Sequence, residues 1–157
     1  MNRTTVVGGL ACAVSLGLGP AAVAAPADSS TVARASGTKL KNVEYVGERC
    51  GLTKIGKTSG QGKTTLVLTV SKAVSAEVSA DVKVEVGVVS AGVGFKVNRT
   101  YTVENQTRFE VPKGKYGYVE AYPLYDQYTF KVYKDGKKKG DGYAMKPVGV
   151  CFNQWAK

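Results

Sequence analysis

Every even-numbered residue from Leu66 to Val88 except Lys72 is apolar, and every odd-numbered residue from Thr69 to Glu85 except Ala73 is polar. A helix needs apolar recurrences at three and four residues. A period of two sustained this long specifies extended chain with one apolar and one polar face. After Gly87 the phase reverses, and Ala91, Val93, Phe95, Val97, Tyr101 and Val103 are apolar at odd positions. A shift by one residue is what a turn or a β-bulge produces. The pattern predicts a long amphipathic β-hairpin over 74–103, with arms 74–86 and 91–103 and its tip near Gly87 to Gly92. A single bulged, very long strand is the alternative.

The rest of the chain has the same character. Residues 43–47 form a short strand candidate. The segment "GLTKIGKTSGQGKTT" at 51–65 comes close to a phosphate-binding loop, but Lys57 stands where the first glycine is required. The motif also needs a helix after it, whereas period-2 sequence follows, so a Gly/Ser/Thr turn between strands is expected. Val111-Pro112-Lys113-Gly114 has turn chemistry, and strands are expected at 115–122 and 127–133. Asp135-Gly136 is the strongest hairpin signal, Asp141-Gly142 is a second turn signal, and a last strand spans 143–152. The class is all-β, a single elongated β-sheet or sandwich domain.

The N-terminal residues have the layout of a cleaved signal peptide over 1–25: Arg3, an apolar run from Val6 to Leu18, and small residues before Pro26. A lipidated Cys12 is the lesser reading, because Gly9 stands where a lipobox wants a branched apolar residue. Residues 26–42 read as a flexible leader and 43–157 as the β domain, which makes the expected location secreted or extracellular. Cys50 and Cys151 then remain, an even count that predicts one disulfide in an oxidising compartment.

The sequence contains no histidine, which removes the commonest general base and the commonest metal ligand. Glu77, Asp81 and Glu85 share a strand face, but positions four apart on an extended chain are about 13 Å apart, too far for a glycosidase pair. The expectation is a non-enzymatic protein with no cofactor and no metal. No nucleic-acid-binding motif accompanies the formal net charge of +10, so no nucleic acid partner is expected.

Two surface features stand out. Tyr116, Tyr118, Tyr122 and Tyr125 lie in a tyrosine-rich run, and Lys134, Lys137, Lys138 and Lys139 cluster at the predicted Asp135-Gly136 hairpin. Tyrosine pairs an apolar body with a wet tip, which suits a binding surface or a half-buried sheet. A lysine cluster attracts an anionic membrane or a cell-wall polymer, and it also keeps a sheet edge soluble.

The Ser/Val ribbon at 69–86, the return strand "GFKVNRTYTVENQTRFEVPKGK" and the β-rich remainder resemble aerolysin-like β-pore-forming proteins, particularly the epsilon-toxin and mosquitocidal-toxin branch, over about residues 64–133. The resemblance implies an elongated β protein that assembles as a homo-oligomer and inserts a hairpin, here 74–103. Val74, Val78, Val82, Val84, Val86, Val93, Phe95 and Val97 would form its lipid-facing side. The alternative is a secreted binding or structural module, directed at a wall polymer, a protein partner or an inhibited enzyme, with no membrane activity.

Overall fold

The two longest elements, β6 (Tyr116–Lys134) and β7 (Lys137–Ala156), form one antiparallel hairpin that serves as the frame of the protein. Its turn is the predicted Asp135-Gly136, with φ of 52° and 77°. Two central residues at positive φ match the strand twist, and Asp-Gly accepts that geometry cheaply. This computed structural model describes residues 37–157; the expected signal peptide, Cys12 and residues 26–36 lie outside them.

β1 (Thr38–Cys50) and β2 (Gly56–Gln61) pair in tandem along the free edge of β6. Residues 38–42, expected in the leader, therefore belong to the sheet, and the strand expected at 43–47 is much longer. The strands expected at 115–122 and 127–133 are one continuous β6 despite Pro123. The missing N–H is tolerated because Pro123 faces the gap between β1 and β2. There its carbonyl accepts the Gly51 N–H at 2.7 Å and no ladder partner needs a donor.

β4 (Glu77–Ala80) adds to the opposite edge of the frame, against Met145 to Gly142 of β7. Asp141-Gly142 is thus not a turn but part of β7, with Gly142 fitted beneath the ring of Phe130. β3 (Thr65–Ser75) and β5 (Thr100–Glu110) form a separate two-stranded sheet. The 51–65 segment holds β2 and the turn leading into β3, as expected for that glycine-rich sequence.

Alternate residues of a strand point to opposite faces, and the frame carries a core on each. On one face Val119, Ala121, Tyr125, Met145 and Val150 lie beneath Leu66, Leu68, Val70, Val74 and Val103 of the β3–β5 pair. The close approach needs glycine below: a Cβ on Gly60 would meet Leu66 at 2.8 Å, and one on Gly56 would meet Val70 at 3.1 Å. On the other face, toward the Asp135-Gly136 turn, Phe130, Val132 and Ala144 lie beneath Val89, Val93 and Val97. Neighbours Ala144 and Met145 belong to different cores. The frame is thus covered at one end on one face and at the other end on the opposite face. Cys50 and Cys151 form the expected disulfide, joining β1 to β7 with Cα atoms 5.9 Å apart.

The expected hairpin is corrected in its arms and in its tip. The antiparallel pair is β3 and β5, paired from Thr65↔Glu110 to Ser75↔Thr100 and closed by Ala76 N–H to Arg99 C=O at 3.0 Å, and it shares with the expected arms only residues 74–75 and 100–103. Its tip is not at Gly87 to Gly92. Residues 77–98 leave the pair, run as β4 along β7, and form the helix α1 (Val86–Val93) over the second core. Burial of Phe130, Val132 and Ala144 outweighs the local strand pattern, since tertiary contacts override propensity.

Candidate functional site

The residues singled out for membrane contact divide between the two cores. Val74 is buried in β3, in the first. Val93 and Val97 are buried in the second, with Val82, Val84 and Phe95 partly buried against it. Val78 and Val86 are 43% and 46% exposed. The apolar side of the ribbon is therefore not a single face in this structure.

Helix α1 is built from poor helix formers. Its eight residues, VGVVSAGV, include four β-branched valines and two glycines, which are among the least favourable residues in a helix interior. Glu85 at the N-cap makes no side-chain cap, no acidic residue lies in the first turn and no basic one in the last, so neither macrodipole end is compensated. What holds the helix is tertiary. Val89 and Val93, one turn apart, are buried against the sheet, Gly94 ends the helix in the left-handed region, and Ser90 Oγ accepts the Val97 N–H at 3.2 Å. A cleft of about 170 Å³ lies within the segment's own packing, lined among others by Val82, Val84, Val86, Val89 and Val97.

Two carboxylates fasten the segment to the frame. Glu77 Oε1 accepts the Tyr125 hydroxyl at 3.0 Å, and Asp81 Oδ2 accepts the Asp141 N–H at 2.9 Å while Asp81 N–H donates to the Asp141 carbonyl. The sequence pattern suggests only a solvated face for these residues, because it does not reveal what lies beside an edge strand. Tyr125 is 3% exposed, so its expected place on a binding surface is corrected. In β6 it sits on the same face as Val119 and Ala121, under β3–β5.

Burial, and then the hydrogen bond to Glu77, push the Tyr125 phenol up to about 12. A pKa raised in the folded state stabilises fully below the unfolded value near 10, and that stability is lost as pH rises toward 12. The wild type is therefore expected to lose stability between pH 10 and 12 more steeply than Tyr125→Phe. Urea unfolding at the two pH values measures the difference, and parallel losses would show that Tyr125 does not titrate with folding.

The other three tyrosines singled out share one face of β6, with Tyr116 exposed and Tyr118 and Tyr122 half-buried. Tyr116, Tyr118 and Tyr122 alternate on the outer face of β6, where Tyr118 stacks on Trp155 with centroids 5.2 Å apart and Lys157 lies over its ring. Beside them a groove of about 360 Å³ is lined by Lys54, Lys57, Ser59, Tyr118 and Glu120. Hydrogen bonds from Lys54 and then Tyr122 hold the Glu120 carboxyl below its ordinary value. Trp155, Lys54 and Lys57 were not legible as members of this surface, because strand register decides it.

The lysine cluster is likewise larger than the sequence suggests. Lys134, Lys137, Lys138 and Lys139 all lie exposed at the β6–β7 turn. Pairing of β1 with β6 sets Lys39 opposite Tyr133 and Lys41 opposite Lys131, with the Lys41 ammonium 4.6 Å from the Tyr133 ring centre. Lys138 pairs with Asp141 at 2.6 Å.

Among the described residues no three His, Cys, Asp or Glu side chains group as metal ligands, and no helix is long and apolar enough to cross a membrane. The sequence matches no protein-family model, and a search of curated proteins gives no match.

Proposed function

We propose that this is an exported, non-enzymatic protein that acts at a cell or envelope surface by releasing residues 77–98 to lengthen the β3–β5 hairpin into a membrane. What supports the reading is register. Continuing the β3–β5 pairing beyond Ser75↔Thr100 and Ala76–Arg99 sets Val78 opposite Val97, Ala80 opposite Phe95, Val82 opposite Val93, Val84 opposite Ala91 and Val86 opposite Val89. Every apolar residue meets an apolar one. Glu77, Ser79, Asp81, Lys83 and Glu85 fall on the opposite face, facing Asn98, Lys96, Gly94, Gly92 and Ser90.

The continuation ends at Gly87-Val88, a two-residue loop with glycine first, as a type II′ hairpin turn requires. The arms 77–86 and 89–98 fall within the roughly 9 to 11 residues a membrane-crossing strand takes. The segment is thus compatible with two structures. One is held only by tertiary contacts, and the other agrees with its local pattern. A single hairpin leaves its edges unpaired in lipid, so insertion requires several copies closing a barrel.

Dye release from liposomes tests the reading, with oligomers sized in parallel. The protein is expected to release dye, and a variant with Ser79→Cys and Tyr143→Cys, register partners between β4 and β7, is expected to release none once oxidised, while each single variant remains active. Release by the cross-linked variant would exclude 77–98 as the inserting segment. A binding module is the second reading, favoured by the Tyr116, Tyr118 and Trp155 surface; absence of both release and oligomers would leave that one standing.

A further inference from the structure

We infer that the lysine-bearing end of the frame is a docking face for the anionic headgroups of a lipid bilayer. The inference rests on the membrane reading of residues 77–98 and names the surface on which that release takes place. Lys39 and Lys41 from β1, Lys131 and Lys134 from β6, and Lys137 and Lys139 from β7 converge at the Asp135-Gly136 turn. Asp135, Asp141 and the nearby Glu44 and Asp81 are fewer, and Asp141 is paired with Lys138. Among the described residues the excess positive charge therefore belongs to lysines outside the Lys138–Asp141 pair, at an exposed hairpin end. Juxtaposed lysines gain from an anionic leaflet additively, and the gain fades with salt.

A bilayer is favoured over a soluble polyanion by what lies around this end. Residues along β3 overlie β6 in the same direction: Leu66 lies against Gly117, and Val70 lies against Gly56, whose ladder partner is Ala121. Further along, Lys146, the partner of Asp126, lies over the ring of Tyr101, the partner of Val74. Extension of the hairpin past Ser75 therefore proceeds toward the lysine turn. At about 3.3 Å per residue, the arms 77–86 are longer than the remainder of β6, so a hairpin that peels from the frame meets a bilayer at the lysine end with its Gly87-Val88 tip first. The folded segment already occupies the back of the same strands, where Gly92 abuts Leu40, the ladder partner of Val132. Charge and releasable apolar surface thus sit at one end of the molecule.

Co-sedimentation with phosphatidylcholine vesicles, with and without phosphatidylglycerol, tests the docking face separately from insertion. The protein is expected to bind only the anionic vesicles and to lose binding at high salt. Lys134→Gln, Lys137→Gln and Lys139→Gln together are expected to weaken that binding on the order of 100-fold, from the usual gain per lysine at an anionic surface. A charge-matched control at the far end, Lys113→Gln, Lys115→Gln and Lys157→Gln, is expected to change it by less than about threefold. Equal losses in the two variants, binding to neutral vesicles that both retain, or binding to a soluble polyanion with none to vesicles would each overturn the docking face. Anionic-vesicle binding without dye release would keep the docking face and remove insertion; release from neutral vesicles by the turn variant would do the reverse.

Discussion

Replacing Cys50 and Cys151 together by alanine is expected to lower the free energy of unfolding by about 4 to 5 kcal/mol. The bridge spans a sequence separation of 101 residues. The entropy of closing a loop of that size in the unfolded chain amounts to about 4.7 kcal/mol. Set against a usual domain stability of about 5 to 15 kcal/mol, such a loss leaves little. Urea titrations of the two proteins, each fitted with its own slope because the unbridged chain unfolds to a more expanded state, measure it. A loss below about 1 kcal/mol would mean that residual structure already holds the two ends together when the chain unfolds. The bridge also bears on the proposed function. It ties β1 to β7, so the frame stays closed while any segment attached to it moves.

Phe130→Ala is expected to cost about 3 to 5 kcal/mol, the usual range for deleting a buried aromatic side chain, but in a different place. Phe130 is 2% exposed and belongs to the second core and not the first. The residues that lose their support are those of 77–98, while Leu66, Leu68 and Val70 keep theirs. Hydrogen exchange reads the difference. The amides of Val88, Val89 and Gly94, which donate to Glu85 and Ser90 carbonyls, are expected to lose protection well before those of the β3–β5 ladder. If both sets exchange in step, residues 77–98 are not a separate cooperative unit and the proposed release loses its basis. A segment of four valines and two glycines held as a helix by its cover over Phe130, Val132 and Ala144 is where local preference and tertiary structure disagree most. Such conflicts mark elements with two accessible packings.

Much of the fold was legible because it is encoded locally. The all-β class follows from period-2 alternation, the β6–β7 turn from Asp135-Gly136, and the disulfide from an even cysteine count. The continuity of β6 through Pro123 was not legible, since it depends on the gap between β1 and β2 facing that nitrogen. Nor was the burial of Tyr125. Along β6 the covered face switches, from odd positions such as Val119 and Tyr125 to even positions such as Phe130 and Val132. Nothing in the tyrosine run says where its two covers meet. For the same reason the lysine surface was half visible: Lys131 and Lys134 to Lys139 are near neighbours in sequence, whereas Lys39 and Lys41 join them only through the β1–β6 register.

The ribbon at 66–103 divides in the same way. Its sequence by itself determined that residues 77–98 can pair apolar to apolar in one antiparallel register, because alternation is a property of neighbouring residues. Only the tertiary structure decided where that pairing stops. Beyond Ala76 the chain gains more by covering Phe130, Val132 and Ala144 than by continuing a two-stranded ladder with its valines facing water, and burial of apolar surface depends on which distant residues need a cover.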